Sequence, residues 1–201
     1  MRHRLYATAY YAVMGAAALA IGLFANVYYA KGAEAGWRGC HVGALGSWND
    51  AVVEDFLGAS GPGIAAVAGC DITANALVFG AEVEYGAQRF DWAGFDVDTQ
   101  GWAASGRAGI LVTPATLIYA RAGWTQLEAE IGSASIDVDG ALVGGGVEID
   151  LTRGWFGRME YQHAMLSTDD YDVDATVDSV KVGFIYRFSP EDPFAANKPL
   201  K

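Results

Sequence analysis

Residues 178–188 read Asp-Ser-Val-Lys-Val-Gly-Phe-Ile-Tyr-Arg-Phe. Val180, Val182, Phe184, Tyr186 and Phe188 share one parity, and Ser179, Lys181, Gly183 and Arg187 the other. Successive side chains of an extended chain point to opposite faces, so this stretch makes a β-strand with one apolar face and one face that is mostly small or charged. Such a strand separates two different solvents.

The same pattern recurs upstream. Alternating segments fall near 37–48, 63–72, 77–87, 101–112, 116–127, 140–150, 155–165 and 178–188. In the third, Phe79, Ala81, Val83, Tyr85 and Ala87 oppose Gly80, Glu82, Glu84 and Gly86. In the fourth, Trp102, Ala104, Ala108, Ile110 and Val112 oppose Ser105, Arg107 and Gly109. The fifth sets Ile118, Ala120, Ala122 and Trp124 against Tyr119, Arg121 and Gly123. The sixth sets Val143, Val147 and Ile149 against Gly144, Gly146, Glu148 and Asp150, and the seventh Met159 and Tyr161 against Arg158, Glu160 and Gln162. Connections alternate too: 73–76, 113–115 and 151–154 are short, while 49–62, 88–100, 128–139 and 166–177 are long and mostly polar. Eight segments with short turns on one side and long loops on the other predict an all-β fold, an eight-stranded antiparallel up-and-down transmembrane β-barrel.

Composition agrees. Glycine is abundant at 26 residues and proline scarce at 5, which suits close-packed strands joined by tight turns, and the aromatic content of 12 % fits strands. A net charge of −11 excludes the basic face that nucleic acid requires. At the N-terminus Met1-Arg2-His3-Arg4 precedes an uncharged run from Leu5 to Ala30, and Ala33-Glu34-Ala35 offers a cleavage site before Gly36. We read residues 1–35 as a signal peptide forming an apolar helix, 36–188 as the barrel and 189–201 as a tail. The apolar run is also long enough to span a bilayer if it is not removed.

A sheet with one greasy and one ionic face inverts the usual arrangement of a soluble sandwich, whose charges face water. From the third segment onward the ionic face carries Glu82, Glu84, Glu148, Asp150 and Glu160 against Arg107, Arg121, Arg158, Lys181 and Arg187, so the acids and bases balance. The interior of an eight-stranded barrel is just wide enough for side chains to fill it, and each buried ion needs a partner. The expectation is a lumen plugged by salt bridges. Aromatic residues sort by height into two interface girdles: Trp48, Tyr85, Trp102 and Trp124 at the long-loop ends, and Trp155, Tyr186 and Phe188 at the short-turn ends.

Lys181, Gly183, Tyr186 and Phe188 match the polar-x-Gly-x-x-aromatic-x-aromatic signal that closes outer-membrane barrels of Gram-negative bacteria. Trp37-Arg38-Gly39-Cys40-His41-Val42-Gly43, Val78-Phe79-Gly80-Ala81-Glu82, Gly106-Arg107-Ala108-Gly109, Leu117-Ile118-Tyr119-Ala120, Gly144-Gly145-Gly146-Val147-Glu148 and Met159-Glu160-Tyr161 extend the likeness over most of 36–188. The chain thus resembles the small outer-membrane β-barrel surface proteins described as outer-membrane immunogenic or porin-family proteins, relatives of the OmpA transmembrane domain. The resemblance implies an outer-membrane location, contact with membrane lipid and lipopolysaccharide, handling by the barrel assembly machinery, and a non-enzymatic role in envelope structure and surface interaction. A narrow pore and a lipid A-modifying enzyme are the alternatives. The chain departs from the family in its 13 residues after Phe188, which carry Pro190, Pro193 and Pro199 and could meet a periplasmic or cell-wall partner, and in Cys40, where the family tends to have an aromatic.

Cys40 and Cys70 are the only cysteines, both on the outward parity of the first two segments. A hairpin centred near Phe56 sets them nearly opposite, so either they are bonded, as an oxidising periplasm permits, or they remain two lipid-facing thiols, the reading we favour. Two cysteines are too few ligands for a metal site, and no cofactor motif is present. For catalysis the candidates are His163, Ser167 and Asp169, close in sequence near the outer end of the seventh segment, although an interfacial histidine beside a polar loop accounts for them. The acidic run at 167–174 lacks the spacing and glycine of an EF-hand and is read as a solvated loop.

Overall fold

The structure is a computed structural model, and it describes residues 34–53, 57–92, 95–131, 134–152, 154–167 and 174–188. A short helix, α1 (Glu34–Trp37), leads into eight strands: β1 (Gly39–Val53), β2 (Leu57–Ala74), β3 (Leu77–Trp92), β4 (Phe95–Thr113), β5 (Thr116–Ile131), β6 (Ala134–Thr152), β7 (Trp155–Ser167) and β8 (Asp174–Phe188). Each strand pairs antiparallel with its sequence neighbour, and β1 pairs with β8 to close the barrel. Closure leaves no strand edge with unpaired backbone groups, which is what a sheet in hydrocarbon requires. The expected signal peptide and tail lie outside the described residues, apart from the last residues before Gly36.

The strands are longer than the alternation predicts. About 9–11 residues suffice to cross a bilayer, yet these strands run to 13–19 residues. The stretches expected as long polar loops are largely strand, with β1 continuing to Val53 and β2 resuming at Leu57. The physical reason is a change of solvent along the barrel. Above the bilayer the outside is water, so the alternation flips: Phe90, Leu166 and Val177 turn inward and are buried, while Asp50, Arg89 and Asp98 face out. A polar residue at every second position reads as a loop only if the outward face is greasy throughout.

At the short-turn end the connections are tight. Asn75 sits at φ 56 in the β2–β3 turn, a left-handed conformation that asparagine tolerates. Gly39, at φ +125, lets the chain bend out of α1 into β1. Trp37 therefore does not begin the first strand, as the alternation suggested, but folds under the barrel mouth.

The lumen is filled in layers. An apolar cluster that includes Trp37, Val78, Leu111, Leu117 and Phe156 packs toward the short-turn end. A second, including Phe90, Leu142, Leu166 and Val177, packs toward the other end. Between them lies a belt of charged side chains. On the outside Trp48, Tyr85, Trp102 and Trp124 are all exposed at one height, and Trp155 and Phe188 at the other. Trp155, Tyr186 and Phe188 contact one another edge to face, with ring centroids 5.2 Å apart in each successive pair.

Cys40 and Cys70 are direct cross-strand partners in β1 and β2 and form a disulfide on the outward face. This corrects the expectation of two free thiols: the register puts the side chains opposite one another, with Cα atoms 3.9 Å apart. The bond closes a segment of 30 residues. Tethering a loop of that size restricts the unfolded chain by roughly 3–4 kcal/mol in the chain-entropy model. Reduced protein, or the C40S/C70S variant, is expected to unfold in urea with a stability lower by about that amount when refolded in detergent. A midpoint unchanged by reductant would show that the tether contributes nothing.

Candidate functional site

The belt is built from residues that strand parity turns inward. At its lower level Glu148, on β6, is fully buried at 0 % exposure. It accepts from Arg107 Nη1 at 2.6 Å, Arg158 Nε at 2.9 Å and Arg187 Nη2 at 2.5 Å. Asp71, on β2, accepts from Arg107 Nε at 2.8 Å and is bonded also by Arg107 Nη2 and Arg187 Nη1. Glu82 accepts from Arg158 Nη1 at 3.0 Å and faces His41 Nε2 at 2.9 Å, while His41 Nδ1 lies 3.4 Å from Asp71. His41 thus stands between two carboxylates, with Nε2 in hydrogen-bond contact with Glu82 and Nδ1 near Asp71 without a hydrogen bond to it.

The upper level is joined to the lower one through Arg121, whose Nη1 lies 3.4 Å from Glu82 and donates to Glu160 at 2.7 Å and to Glu84 at 3.2 Å. Its Nε donates to Ser105 Oγ at 3.1 Å. Tyr119 donates its hydroxyl to Glu160, and its ring lies beneath the guanidinium groups of Arg107 and Arg158, at 5.1 and 5.6 Å. Lys181 bonds Glu84 and donates to Gln162 Oε1 at 2.9 Å. Above this level a small chamber of about 50 Å³ is lined by Ser47, Asn49 and Thr125 together with Glu84, Gln162 and Lys181. That is room for a few water molecules.

Glycines make the crowding feasible. A Cβ at Gly80 would collide with the Asp71 carboxylate, and one at Gly146 would stand 2.8 Å from the Tyr119 hydroxyl oxygen. Small residues on the inward face are the space into which long charged side chains from other strands reach.

Of the ten ions expected in the lumen, Glu82, Glu84, Arg107, Arg121, Glu148, Arg158, Glu160, Lys181 and Arg187 meet in this network. Asp150 does not. It shares Glu148's parity but lies at the rim beside a register shift between Asp150 and Thr152, is exposed, and forms no ion pair among the described residues. Asp71 takes its place, so the acids and bases still number five each, with His41 in addition. Both Asp71 and His41 were legible from the cysteines: if Cys40 and Cys70 face outward, their sequence neighbours face in. Of the closing-strand signal, Lys181 belongs to the belt, Gly183 packs against Leu45 of β1, and Tyr186 and Phe188 lie in the lower girdle.

His163 lies on the outward face of β7. Its Nδ1 is 2.8 Å from Asp178 Oδ1 on β8, and the Tyr161 hydroxyl donates to the same oxygen. Its carboxylate partner is therefore Asp178; Asp169 lies outside the described residues. The next outward position on β7 is Met165, and among the described residues no serine or threonine hydroxyl bonds His163. No three His, Cys, Asp or Glu side chains among the described residues come together so as to hold a metal ion.

A closed antiparallel barrel with an apolar, aromatic-girdled exterior and an ion-paired interior defines an eight-stranded membrane barrel. The chain belongs to the outer membrane protein beta-barrel domain family, whose model matches residues 14–188, and its place is the outer membrane of a Gram-negative bacterium. It is 27 % identical over 166 residues to the 22 kDa outer membrane protein of Rhizobium leguminosarum bv. viciae, covering 76 % of this chain and 78 % of that one. Among solved structures it is similar to Neisserial surface protein A (TM-score 0.53, 16 % identity, 74 % of this chain and 97 % of that one). It is also similar to Ail, the attachment invasion locus protein of Yersinia pestis (TM-score 0.52, 13 % identity, 74 % and 99 %). At those identities the two likenesses establish the fold alone.

Proposed function

We propose that this protein is a non-enzymatic barrel of the outer membrane that works in envelope structure and surface interaction, with a lumen that does not conduct. The observation that carries this reading is the layered filling of the barrel, interrupted only by the small chamber above the upper ion level. The Trp37–Phe156 floor, two levels of interlocked ions and an apolar upper cluster occupy successive heights. Each belt ion is held by at least one opposite charge, so a passing solute would have to part buried pairs, at several kcal/mol each. With transport blocked in this way, the part of the barrel that rises beyond the upper girdle is what remains for partners to meet.

Planar-bilayer recording tests it. The wild-type chain is expected to give no steady single-channel steps, and reproducible steps of one amplitude would replace this reading with a narrow pore. The enzymatic alternative is tested separately by mass spectrometry of lipid A from cells with and without the protein. An acyl chain lost or gained only when His163 is intact would establish lipid modification.

A further inference from the structure

We infer that the Cys40–Cys70 disulfide is a register clamp for the first hairpin, and that its formation before the barrel closes lets β1 meet β8 at the correct height. The two cysteines are direct partners across β1 and β2, with Cα atoms 3.9 Å apart. A slip of one residue would turn every side chain of a strand to the wrong face, so the greasy and ionic sets already forbid it. A slip of two keeps each set on its own side. It would also carry the cysteine Cα atoms to about 8 Å apart, beyond the reach of a disulfide. The bond is therefore compatible with one register alone.

The first hairpin needs such a device because its side chains mark register poorly. Outward partners above the cysteines are Val42 with Ala68, Ala44 with Ala66 and Gly46 with Ile64, small or aliphatic at every rung. Neither strand carries a lysine or arginine. Across the pair, His41 Nδ1 stands 3.4 Å from Asp71 without a hydrogen bond to it. The Asn49 amide donates to the Gly61 carbonyl at 3.3 Å, an acceptor that the backbone offers again after a slip. Later hairpins differ. Arg158 is the direct partner of Glu148 across β6 and β7 and donates to it at 2.9 Å, and Lys181 of β8 donates to Gln162 of β7 at 2.9 Å. An error in the first hairpin would also surface at the seam, since β1 pairs on its other side with β8. There Gly183 faces Leu45 so closely that a Cβ on it would collide with the Ala44 carbonyl, and one on Gly43 would stand 2.7 Å from the Phe184 carbonyl oxygen. A β1 displaced by two would bring Lys181 or Ile185 opposite Leu45 instead. Making the clamp takes only a soluble disulfide in the periplasm: the two thiols join as S–S, and their two protons and two electrons reduce the soluble disulfide to a pair of thiols.

The test reaches one molecule by two routes. The full chain, with Cys40 and Cys70 bonded by oxidised glutathione in urea, is refolded into detergent micelles, and reductant is added only after folding. In the parallel sample reductant is added in urea, before refolding. Both samples end as the same reduced chain in the same solution, so a contribution to stability alone cannot separate them. The folded fraction is read from the gel mobility of unboiled protein. The late-reduced sample is expected to keep the folded fraction of the oxidised protein, and the early-reduced sample to reach about threefold less, because hairpins slipped by two cannot close. Equal folded fractions by the two routes would overturn the inference. A second arm moves the clamp. C40S/C70S/A44C/A66C places the pair two rungs higher on the same outward face, and once bonded it should fold as fully as the oxidised wild type. A bonded form that folds no better than C40S/C70S would tie the effect to the site and not to register, and would overturn the inference as well.

Discussion

Glu148→Gln is expected to lower the stability of the folded barrel by about 3–5 kcal/mol, the usual consequence of removing one partner from a buried charge network. The substitution keeps the shape of the side chain, removes its charge and turns one of its two accepting oxygens into an amide donor that faces a guanidinium. It leaves Arg107, Arg158 and Arg187 with one carboxylate fewer among them, in a place that water does not reach. Asp71 still holds Arg107 and Arg187, and Glu82 still holds Arg158, so the variant should fold, but with excess positive charge at the level of the Tyr119 ring. The measurement is urea unfolding in detergent micelles, followed by tryptophan fluorescence and by the gel mobility difference between folded and boiled protein. The double variant Glu148→Gln, Arg158→Met separates charge from geometry. If uncompensated charge is the cause, removing the hub acid and one of its bases together should recover a large part of the loss. A Glu148→Gln loss below about 1 kcal/mol would place the belt with exposed ion pairs, which contribute that little, and would mean that the lumen is wet.

The architecture was legible from the chain because a membrane barrel repeats one simple signal: alternate residues meet hydrocarbon, and the others meet a small interior. Val180, Val182 and Phe184 against Lys181 and Gly183 express it within six residues. What could not be read was height. Parity says that Glu148 and Asp150 point the same way, but it does not say that one lies at the centre of the belt and the other at the rim, past a shift in register. Height also decides which solvent lies outside. Residues 95–100, Phe-Asp-Val-Asp-Thr-Gln, alternate as cleanly as any membrane segment, yet at 98–100 it is Asp98 and Gln100 that are exposed and Thr99 that is buried, the reverse of the greasy-outside pattern. The network's membership failed for another reason. The second segment, Gly63 to Ile72, is half glycine and alanine, so its alternation is faint and the inward Asp71, which meets two arginines and faces His41, is marked only by its outward neighbour Cys70.

The belt and the floor divide the work of filling the barrel, and this division can be tested at Trp37. Its side chain is 1 % exposed. The indole N–H donates to the Pro114 carbonyl at 3.0 Å, in the turn between β4 and β5. The ring meets Phe156 edge to face at 4.7 Å and lies 5.2 Å from the Arg187 guanidinium. A single residue from α1 thereby ties together the N-terminal segment, a turn on the far side of the barrel and the lowest cation of the belt. Trp37→Ala is expected to lower stability by about 3–5 kcal/mol, the cost of a large aromatic deleted from a packed site that cannot collapse. Trp37→Phe keeps most of the volume and loses the hydrogen bond, so about 1 kcal/mol should go. Bilayer recording distinguishes a floor from a gate. Because the ions above are held by one another, Trp37→Ala should be less stable yet still give no single-channel steps. Were the alanine variant to conduct steadily, the seal would reside in the tryptophan, and the ion belt could no longer be regarded as the barrier.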